Sequence, residues 1–447
     1  MTITTLRRAL LTGAACALAA STACSEFLEV TNPGAIEEKN INNPAYLSLL
    51  TNGVIGEFQP AYTSTSLYGA ILSDEVSNWH GFSENIEIDN RSVGAGNGTA
   101  STGVYTPLQS TRFLADSAIG LVTEFLGDTA SRDVRLARVQ AYAGYAYVLL
   151  AENMCSAPLG IGRAYSSEEL FAIAMERFTA AIATATAART YNTSLGAAGA
   201  KNAASADSLV NLANVGAARA SLDLGNTADA ITYASTVPTS FAFRAYYSQN
   251  SLRENNSFYA AASGGQAAQF IGVSNTPYAT VTNDPRVPRP ATTEGTMQGQ
   301  TFVPKSPLMF STYNGTLTGA QFTRDASMTF ASGLEAQYIL AEAQGATPTN
   351  VAFLNSRRAI GSMGPLTAPS ETDFQAALRE QRARDFYLTG HRVGDLRRYK
   401  KLYSVDLWQH GAYPSPPTIP APPTFGDAEC FPIPLAEING NPGLGQP

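Results

Sequence analysis

VGAARASLDLGNTADAITYA (residues 215–234) is the stretch from which the fold can be read. Gly225 sets a turn between two helical segments, 209–224 and 227–235. Ala218 and Ala230 stand where those helices would cross, and a small residue at a crossing lets two backbones approach. A second copy lies upstream. Gly144 and Tyr147 belong to its first helix, Ala174, Phe178 and Ala181 to its second, and a long insertion separates the two. Either copy alone is a generic helical hairpin; two copies point to stacked hairpins.

Both copies look like the centre of a tetratricopeptide repeat. The expected class is therefore mainly α: a tetratricopeptide-like helical-hairpin scaffold with long loop-rich insertions and a few short strands. Apolar spacing predicts helices over 44–58, 63–77, 108–125, 133–153 and 167–187. In the last, Ser166 or Ser167 would cap the start, and Glu168 and Glu169 suit its positive end. Residues 201–208 read as a loop and 241–330 as the least helical region. Helices resume over 334–344, 351–360 and from Thr372, and the Pro-rich 413–425 reads as extended.

The beginning of the chain gives an address. Arg7 and Arg8 precede the apolar run 9–20, which is too short to span a bilayer. Ser21, Thr22 and Ala23 then lead to Cys24. That order looks like a bacterial lipoprotein signal, with Cys24 the acylated residue, although Ser21 stands where the usual lipobox has Leu. A secretory signal cut near Ala23 is the plainer alternative. No later stretch reads as apolar for long enough to cross a membrane. Cys16 would leave with the signal, so Cys155 and Cys430 remain as a single pair in an oxidising compartment. A Cys155–Cys430 disulfide is the expectation; two buried thiols are the alternative. Losing residues 1–23 would take the formal charge from -7 to about -9, which opposes general nucleic-acid affinity.

A basic segment interrupts this acidic chain. LREQRARDFYLTGHRVGDLRRYKK (residues 378–401) holds eight of the 29 Lys and Arg residues. Gly390 divides it into two helical pieces. A nucleic-acid patch and a solvated helix face are possible readings. Arginines clamping neighbouring segments fit better, because a planar guanidinium matches carboxylates and backbone carbonyls. Arg382, Arg392 and Arg397 are the expected clamp, with Asp395 a partner for one of them.

No chemistry of catalysis stands out. His80, His391 and His410 are not spaced for a metal, and no HExxH, CxxC, calcium-loop or GxSxG pattern occurs. GAGNG (residues 94–98) lacks the context of a phosphate loop and reads as a flexible surface loop. Trp79, His80 and Phe82 in NWHGF are the candidate ligand contacts, since exposed aromatics stack on sugars or peptides. Each could equally anchor a loop in the core.

Five segments together carry a family resemblance: CSEFLEV from Cys24, VGAARASLDLGNTADA from Val215, LEAQYILAEAQ from Leu334, RARDFYLTGHRVGDLRRYK from Arg382, and FPIPLAEINGNPGLGQ from Phe431. The chain resembles the SusD/RagB family of outer-membrane nutrient-binding lipoproteins over nearly its whole length. Gln381 and Thr389 depart from it, standing where the family usually has Glu. The resemblance implies a signal peptide (1–23), a helical half with the repeats (24–240), and a second half with a loop-rich insertion and the last helices (241–447). It implies capture of a glycan or peptide and partnership with a SusC-like TonB-dependent β-barrel at the outer membrane. No catalysis, metal or cofactor is implied. The rivals are a non-catalytic scaffold for other surface proteins and a glycoside hydrolase.

Overall fold

The architecture follows from where small residues let helices close on one another. In the computed structural model the described residues are 44–78, 81–263, 271–273, 276–281, 284–287, 295–297, 300–302, 323–414 and 422–444. The chain divides after Leu47, and the unit beginning at Ser48 holds the core.

Helix α1, Leu47–Leu72, runs unbroken through Pro60. The sequence reading placed two helices here, ending the first at 58. A proline removes one helical donor, but Phe58, Ala61 and Tyr62 are buried on either side of it and the helix continues past the gap. After β1, Ser77–Asn78, comes α2, Ser83–Asp89. A short turn, Gly98–Ala100, and a π-helical turn, Ser101–Tyr105, lead directly into α3, Thr106–Leu126. Then follow α4, Val134–Asn153, the hairpin of β2 (Ala157–Pro158) and β3 (Ala164–Tyr165), and α5, Ser167–Ser194. Ser166 and Glu169 close a capping box at the start of α5.

Helix α6, Ala200–Asp223, and α7, Thr227–Ala234, complete the repeat region. Residues 201–208, read as a loop, are the first turns of α6; Ala206 is buried there, so packing outweighed a polar local sequence. Gly225 takes φ +79° at the turn. Helices α3 to α7 pack each on the next. Phe178 of α5 is the wedge of this stack. Its ring lies against the Cα atoms of both Gly144 in α4 and Gly216 in α6, where a Cβ would come within 2.5 and 2.2 Å of it. Burying such a side chain contributes ~1.5–3 kcal/mol.

Helix α5 is also long and apolar enough, by length and composition, to cross a membrane, contrary to the sequence reading. Its alanine-rich face is instead packed between α4 and α6.

The remainder supplies β4 (Ala242–Ala245), α8 (Ser257–Ser263), β5 (Ile271–Gly272), β6 (Gly295–Met297), β7 (Gln300–Phe302) and β8 (Met328–Ser332). β1 pairs with β5, β4 with β8 and β6 with β7, all antiparallel. Helices α9 (Gly333–Gln344), α10 (Pro348–Ile360), α11 (Glu371–Asp385), α12 (Arg392–Tyr403) and α13 (Leu435–Gly440) follow. Phe330 of β8 joins Phe58 of α1 and Tyr145 of α4, with ring centroids 5.1 Å from each, so one aromatic cluster holds both halves of the sequence. Tyr338, Leu354, Phe374 and Leu378 form a second core among α9, α10 and α11.

The closing segment laces across these helices. Phe431 exchanges backbone hydrogen bonds with Asn153 (2.8 Å) and Cys155 (2.9 Å), and Cys155 is bonded to Cys430. GAGNG, read as a flexible loop, is an ordered corner among the described residues. Asn97 is buried, donates to Glu84 and Glu87, and caps Ala100.

Candidate functional site

Two constellations of polar residues differ in kind, one buried and one open. The buried one lies beneath α12. Arg382 donates to Asp395 at 2.8 Å, and Arg398 donates to Asp395 (2.8 Å), Asp223 (2.7 Å) and Glu342 (2.9 and 3.1 Å). Arg219 holds Glu152 with two bonds of 2.6 Å. His391 lies 3.4 Å from Glu335 and stacks on Phe386, and burial keeps its imidazole below the ordinary histidine range. Burial would raise Asp395, but Arg382 and Arg398 hold it well below the usual carboxylate range.

Arg397 acts on backbone. Its Nη1 donates to the carbonyls of Ala151 (2.9 Å), Glu152 (2.7 Å) and Met154 (3.1 Å), at the end of α4 where helical carbonyls lack partners. Arg392 is half-buried beside Glu75 and Tyr278. Gly390, at φ +77°, makes the turn that returns the chain from α11 to α12; Phe386 and Tyr387 lie in that turn, past the end of α11. Sequence reading did not single out Arg398 and Arg219, nor the acids Asp223, Glu342 and Glu152. Their partners lie as far as 175 residues away, and spacing along one segment cannot reveal them.

The open constellation is a cleft of about 650 Å³. One wall is a face of α1: Glu57, Pro60, Ala61, Ser64, Leu67 and Tyr68 recur at helical spacing. A second is the start of α3, with Thr106, Pro107 and Ser110. The third joins residues 252–261 to Arg324. Hydrogen bonds fix these walls to one another. Ser64 donates to the Gly103 carbonyl at 2.7 Å, and the Tyr68 ring occupies the space a side chain at Gly103 would need. Asn256 donates from its backbone to Arg324 (2.8 Å) and from its side chain to Ala326 (2.9 Å), and accepts from Thr63 (3.3 Å).

Inside the cleft, the Arg324 guanidinium sits 5.1 Å from the Tyr259 ring centroid. Arg253 donates to Glu57 across the mouth. Leu252 is 67% exposed at the rim, and Phe113, on the same helix as Ser110, is 64% exposed. Burial, with a smaller contribution from Glu84, raises the Tyr68 phenol, so it stays a neutral donor. The cleft thus offers aromatic faces and hydroxyls. Among its described lining residues Glu57 is the sole carboxylate.

Of the residues singled out for ligand contact, Trp79 and His80 lie outside the described residues. Phe82 is 56% exposed, precedes α2, and is not part of the cleft wall. Cys24 also lies outside the described residues. Among the described residues no group of three His, Cys, Asp or Glu could hold a metal ion. The cleft was missed because its walls come from segments as remote in the chain as Glu57 and Arg324, none of which carries a motif.

No family model matches the chain, and no curated protein matches it. Solved structures do. A SusD superfamily protein from Bacteroides vulgatus matches with TM-score 0.63 at 13% identity, over 90% of this chain and 99% of its own. One from Parabacteroides distasonis gives 0.63 at 13%, over 92% and 99%. A SusD-like carbohydrate binding protein from Bacteroides vulgatus gives 0.57 at 14%, over 90% and 98%. With its repeat helices, its laced C-terminal segment and this agreement over nearly full lengths, the chain has the mainly α fold of the SusD superfamily.

Proposed function

We propose that the chain is a SusD/RagB-type nutrient-binding lipoprotein of the outer membrane. It captures a glycan and passes it to a SusC-like TonB-dependent transporter. The cleft between α1, α3 and residues 252–261 carries this reading, since it combines rings, hydroxyls and charged donors on a rigid wall. The SusD fold and the carbohydrate-binding description of one similar structure support it. Acylation at Cys24 would supply the anchor, its two acyl chains being enough for stable attachment. Trp79, His80 and Phe82 remain proposed ligand contacts.

The role is binding without turnover. Glycoside hydrolysis ordinarily uses two carboxyl groups flanking the bond, and Glu57, the sole carboxylate among the described lining residues, is already paired with Arg253. Calorimetric titration with glycan and peptide panels tests the reading, alongside co-purification of the chain with its barrel. Saturable glycan binding that Tyr259→Ala weakens is the expected result. Peptide binding alone, or release of shortened products from a bound glycan, would overturn it.

A further inference from the structure

The cleft's polar groups divide into those spent on the fold and those left for a ligand. Ser64, Asn255 and Asn256 are spent: each is committed to backbone or side-chain partners within the walls. The hydroxyls of Tyr68, Thr106 and Ser110 have no partner among the described residues, and neither does the guanidinium of Arg324 beyond the Tyr259 ring. Arg324 is exposed, and its own backbone carbonyl is pinned by Asn256, so the side chain is anchored at its root and oriented by the ring.

The charge balance points the same way. The chain carries -7, yet the cleft holds two arginines against one carboxylate. The Arg253–Glu57 pair is exposed on the arginine side, so it exchanges readily with solvent or ligand. A stacked guanidinium with open donors binds a carboxylate in bidentate fashion. The walls are helix faces and a 3₁₀ turn, and no strand edge lines them among the described residues, so the usual backbone-pairing mode for an extended peptide is missing.

Resting on the proposed glycan-binding role, we infer that the cleft takes a carboxylate-bearing oligosaccharide, a uronic-acid polymer fragment, with its acid group on Arg324 and one sugar ring against Tyr259. The hydroxyls of Tyr68, Thr106 and Ser110 would meet the remaining sugar oxygens.

The test is titration of the chain with oligogalacturonate and oligoalginate, and with the carboxyl-reduced, neutral form of each. At least one acidic fragment should bind at least tenfold more tightly than its reduced form. Arg324→Ala should remove most of that preference, a loss of roughly tenfold or more for a hydrogen-bonded charge, while leaving the melting temperature unchanged. Arg324→Lys should restore part of it. Equal binding of acidic and neutral fragments, or an unchanged preference in Arg324→Ala, overturns the inference and leaves the glycan-binding role standing. Binding of an oligoglutamate peptide in place of any sugar overturns both.

Discussion

The network beneath α12 and the cleft beside α1 are both rich in arginine, and they use it in opposite ways. In the network Arg398 meets three carboxylates and is almost wholly buried. In the cleft Arg324 meets a tyrosine ring and no carboxylate among the described residues. The difference teaches that residue type alone does not tell clamp from contact. Removing an ion from water costs several kcal/mol, so a buried arginine persists only when its partners are fixed around it. An exposed one bears no such cost, and its donors stay open to a ligand.

Arg398→Ala should break this comparison most severely. It strands Asp223, Glu342 and Asp395 without their common partner, and breaking a buried pair costs about 3–5 kcal/mol. Urea unfolding should show that loss, while Arg324→Ala should stay within about 0.5 kcal/mol of the parent. If the two variants are equally stable, the division between the regions is wrong.

Arg392→Ala comes next. As a proposed clamp beside Glu75 and Tyr278, its loss should lower stability by about 1–3 kcal/mol and leave glycan affinity intact. A selective loss of affinity would move Arg392 to the ligand side. Gly216→Ala should cost a similar ~1–3 kcal/mol through overpacking against Phe178. Phe178→Leu, combined with it, should recover part of the loss if the wedge is the cause.

Acidity separates two further buried groups. Burial alone would raise Asp284, but Arg286 and Arg384 hold it at about 2. Its folded value lies below its unfolded one, so its stabilisation is present above about pH 4 and disappears as pH falls through about 2. Burial pushes Glu75 up to about 8, although the Leu388 amide donates to it at 3.1 Å. Its contribution is full below its unfolded value and is lost as pH rises through about 8. Glu75→Gln should flatten that alkaline decline in a melting-temperature profile while leaving the acid limb unchanged. An unaltered decline would assign it to another group.

Tyr259→Ala should have the smallest effect on stability and a clear one on binding. Losing one ring contact should cost about 0.5–1.5 kcal/mol of affinity with little change in melting temperature.

Much of the frame was legible because its signals are local. Gly225 and the small residues Ala218 and Ala230 lie within a few turns of one another, and helix crossing needs small side chains there whatever the rest of the chain does. The split of the basic segment at Gly390 was equally local, since a turn at positive φ favours glycine. The errors came where packing overruled local character. Pro60 did not end α1, the polar start of α6 is helical, and Asn97 turned a glycine-rich run into an ordered corner.

The sequence alone determined the helical class and the stacked hairpins, because each rests on spacing within one segment. Tertiary structure decided which arginine is saturated and which is open. It also decided that Tyr68, Ser110, Tyr259 and Arg324 share one cleft. Those choices depend on burial and on distances between segments remote in the chain, and no local pattern of residue types encodes either.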